Sequence, residues 1–183
     1  MVPVYKKNGK VRVCIDFRDL NKATSMHSYP MPIADMLVDA TTRHKVISFM
    51  DGNAGYNQIF MTEEDIHKTA FRCPGALVLY EWVVMTFRLK NVGATYQRAM
   101  NYIFYELIDK IVEIYIDDVV VKSKGYLEHL EDLKKTLMCA RKHGLRMNPH
   151  KCAFGVRLDN SWVLWYMRKG LKLDRRVLKQ LAR

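Results

Sequence analysis

The sequence predicts an α+β fold, an antiparallel sheet with helices packed on one face. Three observations carry that expectation. Residues 111–121 set two runs rich in Ile and Val on either side of Asp117-Asp118, the pattern of a strand, a turn and a strand. Immediately before them, Tyr96, Met100, Ile103, Phe104, Leu107 and Ile108 recur at helical spacing as a broad apolar stripe. The chain has 183 residues, 49% of them hydrophobic and 11% aromatic, enough for one packed domain and short for two.

Taken in order, Val2-Pro3-Val4-Tyr5 and the run from Val11 to Phe17 flank Lys6-Lys7-Asn8-Gly9-Lys10. Asn-Gly between alternating segments marks a hairpin. Its basic tip suits phosphate contact and equally suits a solvated edge strand blunted with lysine. Tyr29-Pro30-Met31-Pro32 interrupts the chain, and residues 33–40 read as a short helix with Ile33, Met36, Leu37 and Ala40 on one face. Residues 45–51 form a strand that ends on Asp51, before Gly52-Asn53-Ala54-Gly55. A carboxylate placed there serves either as a presented catalytic group or as a turn-initiating Asp.

Thr62-Glu63-Glu64-Asp65 matches a capping box. Residues 68–73 read as a strand closed by Pro74-Gly75, and residues 77–87 alternate loosely, with Tyr80, Trp82 and Phe87 expected in the core. Asn91 is expected to cap the helix carrying the stripe. Residues 126–143 predict a second amphipathic helix, with Leu127, Leu130, Leu133 and Leu137 on its apolar side. Glu128, Glu131, Asp132, Lys134 and Lys135 form its solvated face, and Gly144 ends it. Residues 145–147 and 152–155 flank Asn148-Pro149 as a further β-pair, 162–167 read as a strand, and 174–183 open a basic helix.

The net charge of +11 points to nucleic acid first and an anionic surface second. No apolar run is long enough to span a membrane, and the N-terminus lacks a signal-peptide profile. The four cysteines, Cys14, Cys73, Cys139 and Cys152, include no Cys-x-x-Cys pair and no zinc spacing. They read as reduced, mostly buried thiols of an intracellular protein. At Asp117-Asp118 two like charges repel in an apolar setting, which a divalent cation would offset. A plain solvated turn would also place polar residues there, although tight hairpin turns favour glycine.

At this point the residues resemble the reverse transcriptases of gypsy-type LTR retrotransposons. Val11 to Lys22 resembles the fingers segment, and Phe49-Met50-Asp51 with Gly55-Tyr56-Asn57-Gln58-Ile59 resembles the first catalytic motif. Lys68 to Arg72, Ala94 to Asn101 and Lys151 to Gly155 are similar to further segments in the family's order, and Tyr115-Ile116-Asp117-Asp118 matches the polymerase hallmark. The resemblance implies a right-hand polymerase fold with fingers and palm interleaved over residues 1–183, the chain beginning inside the fingers and residues 174–183 starting a largely missing thumb. It implies an RNA-directed DNA polymerase that adds deoxynucleotides to a primer 3′ end by two-metal phosphoryl transfer. Asp51, Asp117 and Asp118 would hold two Mg²⁺ ions, with Mn²⁺ a substitute. Lys7 (or Lys6), Arg12, Tyr56, Phe87 and Arg88 would line the nucleotide site, and Tyr115, Leu164 and Trp165 would meet the primer. Implied partners are an RNA or DNA template with primer, deoxynucleoside triphosphates and other chains of a retroelement polyprotein.

Two positions depart from the family pattern. Met85-Thr86-Phe87-Arg88-Leu89 has Arg88 where the family has glycine, and Leu164-Trp165 stands where it has Leu-Gly. These departures, with the implied truncations, raise the alternative of a degenerate retroelement remnant, a basic nucleic-acid-binding domain without turnover.

Overall fold

The computed structural model describes residues 2–5, 9, 11–52, 54–73, 75 and 77–157. The strand expected at 162–167 and the basic helix expected from 174 lie outside these residues. The chain divides into two units, residues 1–29 with 56–96 and residues 30–55 with 97–183.

In the first unit, β1 (Val2–Tyr5) and β2 (Val11–Cys14) pair antiparallel as the expected hairpin, but with Tyr5 opposite Val11, one residue off the register that a two-residue Asn8-Gly9 turn would give. A short helix that the sequence reading did not assign, α1 (Arg18–Ala23), follows. The later helix α3 (Glu63–Ile66) starts where the capping box was expected, but the Thr62 hydroxyl donates to Asp65 Oδ2 and no side chain caps the backbone. The strands expected at 68–73 and 77–87 shrink to the two-residue ladder of β4 (Phe71–Arg72) and β5 (Leu79–Tyr80). Tyr80 and Phe87, expected in the core, are exposed and pack against other rings instead: Tyr80 stacks on Phe71 and Phe87 lies edge-on to Tyr56.

The second unit is built on one four-stranded antiparallel sheet. Its strands are β3 (Val46–Asp51), β6 (Val112–Tyr115), β7 (Asp118–Ser123) and β8 (Ala153–Arg157), in the order β6-β7-β3-β8. The β-branched runs of β3 and β7 fill the two central positions, where both faces are enclosed, and Val46 to Met50 and Val119 to Ser123 are all buried. Ile47, Phe49, Val120 and Ala153 form a core cluster that Val156 completes. The expected pairing of 145–147 with 152–155 is not formed. β8 pairs with β3, and Met147 bridges Gly52, which extends β3 past its end.

Helix α2 (Ala34–Thr42) buries Leu37 and Thr41 and leaves Met36 exposed, so the predicted apolar face is only partly used. Helix α4 (Val92–Ile103) buries Tyr96, Gln97 and Met100, and Phe104 follows in the next turn. It stops at Ile103 rather than 108, and Asn91 stands at its N-cap position, its carbonyl accepting from the Thr95 amide at 2.9 Å, without a side-chain cap. The Asn91 side chain accepts from the His27 amide (3.0 Å) and donates to the Ser25 carbonyl (2.8 Å), fastening a loop.

Helix α5 (Tyr126–Lys142) ends at Gly144 with φ +68°, as expected, and Glu128, Glu131, Lys134 and Lys135 are exposed as predicted, but the leucine side is not the buried one. Leu127 is 85% and Leu130 63% exposed, while His129, Asp132, Thr136 and Ala140 are buried. Asp132, assigned to the solvated face, is inside because the sheet offers it Ser123. Of the cysteines, Cys152 is buried and Cys14, Cys73 and Cys139 are half-buried, so the thiols are free but not mostly buried. Among the described residues no helix is long and apolar enough to cross a membrane.

Candidate active site

The acids come together because of strand register. β3 and β7 run antiparallel with Phe49 opposite Val120, which sets Asp51 directly opposite Asp118. Residues directly opposite on antiparallel strands hold their Cβ atoms about 5 Å apart, where like charges destabilise the pair. Strand alternation places both carboxylates on the face bearing Phe49 and Val120, opposite the face bearing Ser48.

The hairpin between β6 and β7 corrects the sequence reading by one residue. Its two turn residues are Ile116 and Asp117, and Asp118 already belongs to β7, paired with Tyr115. Only Ile116 carries positive φ, +54°, the sign pattern of a type II′ turn that glycine would ordinarily supply. A β-branched residue there is strained and needs support from its surroundings. Gln97 provides it. Buried on α4, its Oε1 accepts from the Ile116 amide at 2.8 Å, and its Nε2 donates to Asn101 Oδ1 at 3.0 Å. On the other side, the Gly52 amide donates to the Asp117 carbonyl at 3.3 Å, tying the turn to the end of β3.

The electrostatics are those of a cluster only partly compensated. Burial, then the charge of Asp51, raises Asp117 above the ordinary carboxylate range. Asp118 is pushed up to about 7 by burial, then by Asp51 and Asp117. Asp117 Oδ1 is buried with no hydrogen-bond partner, a condition native proteins rarely tolerate without a reason. Lys151 Nζ donates to Asp51 Oδ1 at 3.0 Å and Oδ2 at 2.8 Å, and its charge lowers both other acids. The turn from Asn148 to Lys151 places it. The Asn148 amide donates to the Asp51 carbonyl at 2.8 Å, and the Lys151 amide donates back to the Asn148 carbonyl at 3.0 Å.

These donors suit a hard divalent cation: carboxylate oxygens, one of them buried and unpaired, with Asp117 and Asp118 raised by burial and neighbouring negative charge that a cation would offset. Among the described residues, no three His, Cys, Asp or Glu side chains already converge on one metal position. Asp51 is turned to Lys151.

The remaining predicted residues divide. Tyr56 lies in the first unit, edge-on to both Phe87 (5.2 Å between centroids) and Tyr96 (5.0 Å). Arg88, in the same unit, has φ +74°, so an L side chain occupies the left-handed region that glycine favours. Its carbonyl accepts from Asn21 Nδ2 at 2.7 Å, and Asn21 Oδ1 accepts from the Lys90 amide, which locks the turn. Lys6, Lys7, Leu164 and Trp165 lie outside the described residues, as does the side chain of Arg12. The sequence reading missed Lys151 and Gln97 as parts of the site. Both lie in segments similar to the family, Ala94 to Asn101 and Lys151 to Gly155, but their roles depend on partners elsewhere in the chain.

Comparisons with known proteins show what the chain is similar to. A family profile described as "Reverse transcriptase (RNA-dependent DNA polymerase)" matches residues 4–172. The Retrovirus-related Pol polyprotein from transposon gypsy of Drosophila melanogaster is 33% identical over 147 residues, covering 80% of this chain and 14% of that protein. Polyprotein P3 of Commelina yellow mottle virus is 34% identical over 151 residues, covering 82% of this chain and 8% of that protein. The chain therefore spans a small fraction of these curated relatives. The foamy viral protease-reverse transcriptase solved in complex with an RNA/DNA hybrid aligns with a TM-score of 0.74 at 21% identity, over 83% of this chain and 20% of that one, and shares its fold.

Proposed function

Because this chain belongs to the reverse transcriptase (RNA-dependent DNA polymerase) family, we propose that it is a retroelement polymerase domain that extends a primer 3′ end, with Asp51, Asp117 and Asp118 as its catalytic acids. The observation that carries the reading is the frustrated acid cluster: Asp51 and Asp118 set opposite each other by register with Asp117 in the adjoining turn, two of the three with raised pKa and one with a buried, unpaired oxygen. Perturbed carboxylates of this kind concentrate at functional sites.

Asp51 and Asp117 would hold two divalent cations, Mg²⁺ or Mn²⁺, and Asp118 would support the side of the attacking hydroxyl. When bound, such cations lower the pKa of the primer 3′-hydroxyl and neutralise charge on the departing pyrophosphate. Gln97 fixes the hairpin that presents Asp117, holding a strained turn in one geometry. Lys7, Arg12, Tyr56, Phe87 and Arg88 would meet the incoming deoxynucleoside triphosphate, and Tyr115, Leu164 and Trp165 the primer. The template-primer, RNA or DNA, is supported by the charge of +11 and by the hybrid that the foamy viral relative binds. Fingers and palm would interleave across residues 1–183, with residues 174–183 starting a thumb. The other segments of such polyproteins are proposed partners, as is an intracellular setting.

One observation favours a second reading, a remnant that binds nucleic acid without turnover: Arg88 stands strained where the family has glycine. Primer extension separates the two. The chain with Mg²⁺ or Mn²⁺, an RNA template and a DNA primer should show weak extension, and Asp117→Asn should lower it by about 10³-fold, roughly 4 kcal/mol of barrier. Extension that survives Asp117→Asn would remove the acids from the chemistry. Template binding without any extension, unrescued by Arg88→Gly, would establish the remnant.

A further inference from the structure

Lys151 has no part in the chemistry proposed above, yet it makes the most direct contact with the acid cluster. Its ammonium takes both carboxylate oxygens of Asp51, at 2.8 and 3.0 Å. The contact is built in, because the backbone of the Asn148–Lys151 turn is hydrogen-bonded to Asp51 itself. The two partners differ in exposure: the Asp51 side chain is 17% exposed, the Lys151 side chain 59%. The acid is fixed at the end of a buried strand, whereas the lysine reaches in from solvent on a flexible stem and can withdraw there cheaply. Asp117 and Asp118, the other charged groups of the cluster, gain nothing comparable, and Asp117 Oδ1 stays unpaired.

Resting on the reading of these acids as a divalent-cation site, we propose that Lys151 is its internal counter-cation: it occupies Asp51 in the metal-free chain and must leave before a divalent cation can use that carboxylate. Three neighbouring carboxylates cannot all stay ionised without compensation. One ammonium offsets part of that charge when no metal is bound. A divalent cation offsets more, but the Asp51 oxygens it needs are already engaged, so lysine and metal compete for one carboxylate. The Asn148–Lys151 turn thereby senses whether the site is loaded. Lys151 is a positioning residue in this account.

The test is Mn²⁺ binding at fixed pH, read from the electron paramagnetic resonance signal of free Mn²⁺, with thermal unfolding in parallel. The 183-residue chain is compared with Lys151→Met, Lys151→Arg and Asp117→Asn. Lys151→Met should bind Mn²⁺ about tenfold more tightly, some 1.4 kcal/mol, and show a larger Mn²⁺-induced rise in Tm. Lys151→Arg, which keeps a cation on Asp51, should stay near the parent. A purely structural lysine predicts the opposite sign, since its loss would loosen the site. Equal or weaker binding by Lys151→Met, while Asp117→Asn loses Mn²⁺, overturns the competition alone. Unchanged binding by Asp117→Asn overturns the cation-site reading beneath it.

Discussion

The β3–β7 ladder carries a polar group at each end, and the two could hardly differ more. At one end Gly155 N–H donates to Ser48 Oγ at 3.0 Å, and Ser48 Oγ lies 2.6 Å from His129 Nε2. His129 Nδ1 lies 2.9 Å from Ser123 Oγ, which donates to Asp132 Oδ2 at 2.8 Å. The Ser123 hydroxyl has one proton and gives it to Asp132, so His129 must donate from Nδ1 and accept from Ser48 at Nε2. The chain is complete and holds neutral imidazole, and burial keeps the His129 pKa below its ordinary value. At the other end, two facing carboxylates and a third beside them have one lysine among them. A satisfied buried network fastens α5 and β8 to the sheet, whereas an unsatisfied one stores free energy that a ligand can release. Burial of polar groups alone does not mark function. An unpartnered buried oxygen beside facing like charges points to it.

That contrast is most exposed to removal of His129. His129→Ala should destabilise the chain by about 3 kcal/mol, because it leaves Ser48 and Ser123 without partners and opens a cavity. Urea unfolding checks this, and a loss near zero would mean that the network is incidental.

The next effect is in pH, where the two ends act with opposite sign. Asp118 titrates near 7 folded and near 3.8 unfolded, so the native state holds a proton that the unfolded state has released. Metal-free stability should therefore fall as pH rises through that window, by about 2 kcal/mol. His129, with a lowered pKa, contributes stability that is present above 6.5 and lost as pH falls below it. Denaturation of Asp118→Asn across the same range should lack the first slope and keep the second.

A smaller effect sharpens the contrast by showing strain without charge. Arg88 pays for its positive φ with no polar conflict around it, so Arg88→Gly should stabilise by about 1 kcal/mol, a rise in Tm that calorimetry can resolve. No gain would mean that the Asn21 clamp already absorbs the strain.

The acids and the central strands were legible because their signals are local. The Val- and Ile-rich runs specify buried strands, and a two-residue turn between them is bound to bring its acids to a strand end. The turn was misplaced by one residue because Ile116, a poor candidate for positive φ, is held there by Gln97 from another element. α4 was legible because its apolar stripe faces the core. The solvated face of α5 is legible except at Asp132, whereas its buried face is not, because that face is polar and periodicity scores hydrophobicity rather than hydrogen bonding. Asp132 resembles any surface acid until Ser123 is placed beside it. The Asp51–Lys151 pair is illegible for the same reason, its partners standing 100 positions apart.

The central claim is that the acid cluster is held against its own repulsion. Urea unfolding of the parent chain and Asp118→Asn, with chelator and then with Mg²⁺, tests it most directly. In chelator at neutral pH the Asn variant should be the more stable by about 1–2 kcal/mol, and Mg²⁺ should close or reverse that gap by stabilising only the chain with all three acids. An Asn variant that is less stable than the parent in chelator would contradict the account.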